Sequence, residues 1–216
     1  FPEPLVPRRR RIGVTERVTY DGAVETPLVR DDVLAALEAE AADGIESVAV
    51  CFLHSYTNPA HEVEAKAIIQ EARPDLPVTL SSDVLPEIGE YGRVSTTVAN
   101  AYVQPIIDRY LSALDGELRE MGSSGGFFVM GSNAGSLSLD VARNHPVRLV
   151  ESGPAAGVSI AAHYARRLGL SNLLSFDMGG TTAKIALVTD YEPTRTSELE
   201  VARVKRFQKG SGLLLK

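Results

Sequence analysis

The sequence has no tryptophan, only three methionines and a single cysteine in 216 residues. One thiol, Cys51, cannot close an internal disulfide, which excludes a small secreted fold stapled by such bridges. Long apolar runs are missing too. The longest, residues 45–53, is interrupted by polar side chains and falls far short of the ~20 residues that a membrane helix needs. No apolar leader is expected, since Pro2, Pro4, Pro7 and the arginines at 8–11 stand where its core would lie. Nor is there an excess of positive charge. The 22 basic and 28 acidic residues leave a net charge of −6, which weighs against a general nucleic-acid binder. These absences lead to the expectation of a cytoplasmic protein with neither a membrane nor a nucleic-acid partner. The chain opens on Phe1 rather than methionine, so an internal piece of a larger polypeptide is expected.

What is present is globular. Hydrophobic residues make up 44% and charged residues 23% of the chain. A chain of this length buries roughly 70% of the surface its unfolded form exposes. Residues 1–8 are Pro-rich and read as extended. β-formers alternate with polar residues over 10–20, and Asp21-Gly22 reads as a turn into a short strand at 23–26. Asp31 or Asp32 caps a predicted helix over 33–42 with Gly44 as its stop. Residues 46–52 read as a strand buried on both faces. Asn58-Pro59 starts a helix that ends before Pro74, and 78–81 is a further strand. This strand–helix–strand order predicts an α/β fold with mixed sheets flanked by helices.

Beyond residue 90, apolar residues at helical spacing predict a helix over 95–103, a continuation or kink at Pro105 and a longer helix to Met121. Ser95, Thr96 and Thr97 are capping candidates at its start. Short buried strands are expected at 127–130 and 147–150, with a helix at 139–143 between them. A small-residue helix over 155–168 ends at Gly169 and leads to strands at 172–176 and 184–188. The tail over 205–216 ends on three leucines with nothing following to pack against. The expected organisation is an α/β unit over 1–90, a helical segment with short strands over 91–150, and a crossing helix with a glycine hairpin over 151–216.

The segment from Leu173 to Thr182 carries the clearest chemistry. An apolar strand ends in Asp177, followed by Gly179, Gly180, Thr181 and Thr182. Glycines let main-chain amides approach an anion, and one of the two is expected at positive φ. The hydroxyls add donors, and an acid at a strand end can hold a hydrated divalent cation. No Gly-Lys-Ser/Thr follows, so this is not a Walker loop. An extended run follows, so it is not a dinucleotide fingerprint. The loop therefore joins two antiparallel strands. A plain Gly-Gly hairpin turn satisfies the same pattern. Asn133, between Ser132 and Gly135, is read at a strand end where α/β folds place sites, or as an ordinary polar turn. Glu151, read at the end of a strand beside Gly153-Pro154, is placed to position a water, or is a surface carboxylate. Lys184 points to solvent or reaches a phosphate. His54 and His61 lack the spacing of a zinc site. Cys51 reads as a small buried hydrophobe. The arginines at 8–11 are expected to pair with acids outside this chain.

In order along the chain, Cys51-Phe52-Leu53-His54-Ser55-Tyr56, Asn58-Pro59-Ala60-His61-Glu62, Ser82-Asp83-Val84-Leu85-Pro86-Glu87, Ser95-Thr96-Thr97, Ser132-Asn133-Ala134-Gly135, Ser152-Gly153-Pro154 and the Asp177–Thr182 segment resemble the A subunit of the hydantoinase and 5-oxoprolinase family. That family also includes the ATP-dependent acetone and acetophenone carboxylases. It belongs to the sugar-kinase, heat-shock-chaperone and actin type of ATPase fold. The resemblance implies ATP and Mg²⁺ as cofactors. Asp177 would hold the metal through water, and Gly153, Gly179, Gly180, Thr181 and Thr182 would hold phosphates. Glu151 and Asn133 would be the catalytic residues. It implies a cyclic amide substrate such as a hydantoin or 5-oxoproline, and a B-type partner subunit or domain. A ketone carboxylase subunit and a non-enzymatic nucleotide-driven module are the alternatives. This chain departs from the family pattern in two ways: it has no N-terminal Asp/Gly/Thr hairpin and no adenosine-binding glycines. The fragment alone is therefore expected to be inactive.

Overall fold

The computed structural model describes residues 4–41, 44–205 and 208–216. The expected helix end at 42, the first three residues and positions 206–207 of the tail lie outside the described residues. A 3-10 turn at Arg8–Arg10 precedes strands β1 (Arg17–Val18) and β2 (Val24–Thr26). Helix α1 (Arg30–Ala41), strand β3 (Val48–Val50), helix α2 (Ala60–Ala72) and strand β4 (Val78–Leu80) follow. Next come the short helix α3 (Ser81–Val84) and the long helix α4 (Glu90–Glu120). The chain continues through β5 (Phe128–Met130), β6 (Ser136–Ser138), α5 (Leu139–Asn144), a 3-10 turn at Pro146–Leu149 and α6 (Ser152–Leu168). It ends with β7 (Leu173–Met178), β8 (Ala183–Thr189), β9 (Glu192–Pro193), β10 (Leu199–Val201) and β11 (Leu213–Leu215).

The α/β class expected from the sequence stands. The sheets among the described residues are small: β3–β4 is parallel, and β1–β2, β5–β6, β10–β11 and β7–β8–β9 are antiparallel. The chain forms two compact units, Phe1–Arg109 with Glu198–Lys216, and Tyr110–Ser197. These differ from the three segments read from the sequence, because α4 runs without a break past residue 91 and the last two strands return to the first unit.

In the first unit, α2 carries Ala65, Ile68 and Ile69 at helical spacing, and α1 carries Val33 and Leu37. With Val50, Val78 and Leu80 from the parallel strands they form one core. Helix α2 starts one residue later than read: Pro59 takes the cap position, and Asn58 Oδ1 accepts from the Ala60 amide at 3.1 Å. Asp32 is not a cap. It lies inside the first turn of α1, and its carboxylate accepts from the Thr15 amide at 2.8 Å. The strand read over 46–52 shortens to three paired residues, since β4 is its one partner among the described residues and the chain turns at His54, with φ 57°. Arg10 pairs with Glu40 of α1 at 3.2 Å, so this arginine needs no acid from outside the chain.

Helix α4 continues through Pro105, one of the two readings of the sequence. A proline has no N–H for the carbonyl four residues back, that of Ala101. The Ser47 hydroxyl donates to this carbonyl at 2.6 Å. Ser95, Thr96 and Thr97 are interior rather than caps. Thr96 and Thr97 donate back to the carbonyls of Gly92 and Arg93, at 2.8 and 2.7 Å. Ser95 donates to Leu214 at 2.6 Å, and Thr96 accepts from the Lys216 amide at 3.0 Å. The three leucines of the tail thus have a partner after all, as β11 pairs with β10 and Leu215 is buried.

In the second unit, the strand expected at 147–150 is a 3-10 turn opened by Pro146. The strand at β5 is largely exposed, with Phe128 at 64%, and pairs with β6. Helix α6 packs Ala162 and Ala165 onto Val188 of β8, with Val158, Leu173 and Tyr191 around them. Small residues at the contact let helix and hairpin approach closely.

Candidate functional site

The hairpin β7–β8 is in register from Leu173↔Val188 to Met178↔Ala183, which leaves residues 179–182 as the turn. Residues directly opposite share a face. Leu173, Ser175 and Asp177 therefore lie on the same face as Val188, Ala186 and Lys184, and this is the face that α6 covers. The other face carries Leu174, Phe176, Met178, Ile185 and Leu187, all at least 55% exposed. Strand β7 is packed on one side only.

The turn closes with the Gly179 amide donating to the Thr182 carbonyl at 3.0 Å. That amide is spent. The amides of Gly180, Thr181 and Thr182 find no acceptor among the described residues. The Thr181 and Thr182 hydroxyls lie 3.3 Å apart. Apart from their chain neighbours and, for Gly153, the backbone of its own helix, no described atom comes within 4 Å of where a Cβ on Gly180 or Gly153 would sit. Neither Gly179 nor Gly180 takes a positive φ, contrary to the expectation. The antiparallel register with a four-residue turn reaches closure without a left-handed residue.

Glu151 does not end a strand. It is the residue before α6, held left-handed at φ 62° and ψ 22°, a conformation that costs a non-glycine residue about 1 kcal/mol. Pro154 sits in the first turn, where its missing N–H has no helical acceptor to lose. The Glu151 carboxylate forms an ion pair with Lys184 Nζ, with both side chains about 40% exposed. Lys184 is thus neither free in solvent nor turned to the loop. It stands opposite Asp177 in the ladder and is held by Glu151. Asn133 lies in the β5–β6 connection, where its Oδ1 accepts from the Gly135 amide at 2.8 Å. The carbonyl end of this side chain is committed to the turn and the Nδ2 end is not.

Three amides with no acceptor, two hydroxyls, open space over glycine and one carboxylate form a donor set that fits a phosphate with a hydrated cation. No group of three or more His, Cys, Asp or Glu that could hold a metal directly occurs among the described residues. His61 pairs with Glu16 at 2.8 Å, both side chains being buried, and is structural. Burial pushes the Cys51 thiol up to about 12, with the Glu62 carboxylate adding to the effect, so it is a hydrophobe and not a nucleophile. The feature that sequence reading missed is a buried network. Glu62, Ser81 and Arg93, each at most 1% exposed, bond to one another behind the 51–56 loop. A charged residue at a helical core position is the signal that pointed to it.

An α/β chain with an anion-competent glycine hairpin next to a small-residue helix is what the residues build. The hydantoinase/oxoprolinase pattern matches residues 93–208, and the N-terminal region of the same family matches residues 1–73. A protein of Methanocaldococcus jannaschii described as uncharacterized is 39% identical over 98% of the chain. The caprolactamase alpha subunit of Pseudomonas jessenii is 36% identical over 85%. A nucleotide-free structure of acetone carboxylase superposes on the whole chain with a TM-score of 0.83 at 30% identity. The chain belongs to the hydantoinase/oxoprolinase family. It spans 32% and 26% of the length of the two curated relatives and 29% of the acetone carboxylase chain. No helix among the described residues is long and apolar enough to cross a membrane.

Proposed function

We propose that the chain is part of an ATP- and Mg²⁺-dependent hydrolase that opens a cyclic amide such as a hydantoin or 5-oxoproline. It would work in the cytoplasm with a B-type partner subunit or domain. The observation that carries this reading is the row of acceptor-free amides at Gly180, Thr181 and Thr182 beside Asp177, in a chain of this family. ATP, when bound, would supply the phosphoryl group that caps the amide oxygen and opens the carbonyl carbon to water, so that the ring C–N bond breaks with the nitrogen leaving protonated. The loop amides and threonine hydroxyls bind the phosphates, and Asp177 orients the water shell of the cation. Gly153 leaves room for the anion at the start of α6. The committed Oδ1 of Asn133 leaves Nδ2–H to donate to a substrate carbonyl, and Glu151 takes the proton of the attacking water.

A second reading, a subunit of an ATP-dependent ketone carboxylase, is favoured by the likeness to acetone carboxylase over the entire chain. Phosphate release by the intact protein with its partner subunit, with 5-oxoproline, a hydantoin and acetone offered in turn, separates the two. Amide-dependent release that Asp177→Ala abolishes supports the hydrolase, and release only with ketone and bicarbonate overturns it. The 216-residue chain by itself binds Mg-ATP no tighter than about millimolar, because a lone exposed loop competes with solvent for every donor. It shows no turnover.

A further inference from the structure

We propose that Lys184 is the phosphate-recruiting side chain of the hairpin, held in reserve by Glu151 and transferred from it when a polyphosphate enters the loop. The inference rests on the phosphate reading of residues 179–182 and adds a switch to it.

Three observations carry it. Lys184 is directly opposite Asp177, the last residue but one of β7, so its stem starts at the rim of the turn on the Asp177 side of the sheet. Its ammonium is engaged by Glu151, which is held in a left-handed conformation immediately before α6. Both side chains are about 40% exposed, so the pair can exchange partners without unpacking the core.

The competition is electrostatic. A carboxylate offers one negative charge, whereas a nucleoside triphosphate or inorganic tripolyphosphate offers several within the reach of one lysine. The loop amides fix the anion's position but contribute only dipoles, and Asp177 adds a charge that repels it. Lys184 is the cation nearest in the ladder able to offset that repulsion. Once it turns to the phosphate, the Glu151 carboxylate is left at the positive end of the α6 dipole. There the dipole takes over part of the stabilisation that the lysine gives in the resting state.

The test is an amide NMR titration of the 216-residue chain with Mg-ATP and, separately, with magnesium tripolyphosphate, a method that reads millimolar affinities. In the native chain the Gly180, Thr181 and Thr182 amides shift on addition. Lys184→Met weakens binding about threefold to tenfold, the scale of one partly screened charge. Glu151→Gln tightens it about twofold by removing the competitor, and Lys184→Arg keeps native affinity. A purely structural pair predicts otherwise: Lys184→Met and Glu151→Gln would both weaken binding, or both leave it alone, with matching losses of melting temperature. Either result overturns the proposal while the phosphate loop stands. If the three amides fail to shift in the native chain, the phosphate reading falls and the switch falls with it.

Discussion

Glu62 and Arg93, an anion and a cation both removed from solvent, are joined through one hydroxyl. Ser81 Oγ donates to Glu62 Oε1 at 2.6 Å and accepts from Arg93 Nε at 3.2 Å. The carboxylate also takes the Phe52 and Ser82 amides at 2.8 Å each, and the guanidinium also donates to the carbonyls of Phe52 and Glu87. Arg93 further lies over the Tyr56 ring at 5.4 Å. The network therefore fixes both ends of the loop that contains His54 in its left-handed conformation.

Breaking one side of this arrangement leaves the other charge buried and unpaired, which costs about 3–5 kcal/mol. Glu62→Gln also sets an amide donor against a main-chain donor. Both Glu62→Gln and Arg93→Met are expected to lower the urea midpoint of the first unit strongly. A shift worth less than ~1 kcal/mol in either variant would show that the network does not hold the loop.

At Gly212 a Cβ would lie 2.4 Å from the Val201 carbonyl oxygen and 3.0 Å from Arg203 Cγ. The first obstacle is backbone, so the strand itself must move. Gly212→Ala is expected to separate β11 from β10 and release the bonds from Ser95 and Thr96 to the tail. Hydrogen exchange of the Leu213–Leu215 amides reads this directly. Protection equal to the native chain's would contradict it.

Glu200 holds the same turn closed from below, accepting from the Gly210 amide at 3.1 Å and the Gly212 amide at 2.6 Å. The Gly210 bond, with those of Gly212 and Arg203, keeps its carboxyl below the ordinary glutamate value of 4.5. A lowered folded value means the carboxylate stabilises the turn above pH ~4.5 and the contribution is lost as the pH falls through the lower folded value. Acidification from pH 6 to pH 3 should move the Gly212 amide resonance toward a random-coil position. Glu200→Gln, which carries no charge, should show no such transition. Identical acid profiles for the two proteins would rule this out.

How far these features could be read from the sequence depended on how local their causes are. The Asn58-Pro59 start of α2, the Gly169 stop of α6 and the β7–β8 hairpin were legible, since each is set by residues adjacent to it in the chain. The strand expected at 147–150 failed because Pro146 favours a turn where apolar content alone suggests extension. Ser95, Thr96 and Thr97 were misread as caps because α4 already starts at Glu90: Thr96 and Thr97 donate to carbonyls four residues back, and the tail partners of Ser95 and Thr96 lie about 120 residues away. At the candidate site the glycines and Asp177 were legible as a motif. The Glu151–Lys184 pair was not, since opposite charges 33 residues apart carry no periodicity.

Pro105 shows the same long-range dependence in a form that can be measured. It deprives the Ala101 carbonyl of its helical donor, and the Ser47 hydroxyl fills the vacancy at 2.6 Å, 54 residues away in sequence. Ser47→Ala should therefore cost about 1 kcal/mol or somewhat more, because a carbonyl in a buried stretch of helix is left without a donor. Pro105→Ala restores an amide that can reach Ala101 along the helix. In that background the serine becomes redundant, and Ser47→Ala should cost only a few tenths of a kcal/mol. The double-mutant cycle, read from urea denaturation of the four proteins, then gives a coupling of about 1 kcal/mol between two residues linked through the Ala101 carbonyl. A coupling near zero would mean that the Ala101 carbonyl is satisfied by another donor, and that α4 runs through its proline without help from Ser47.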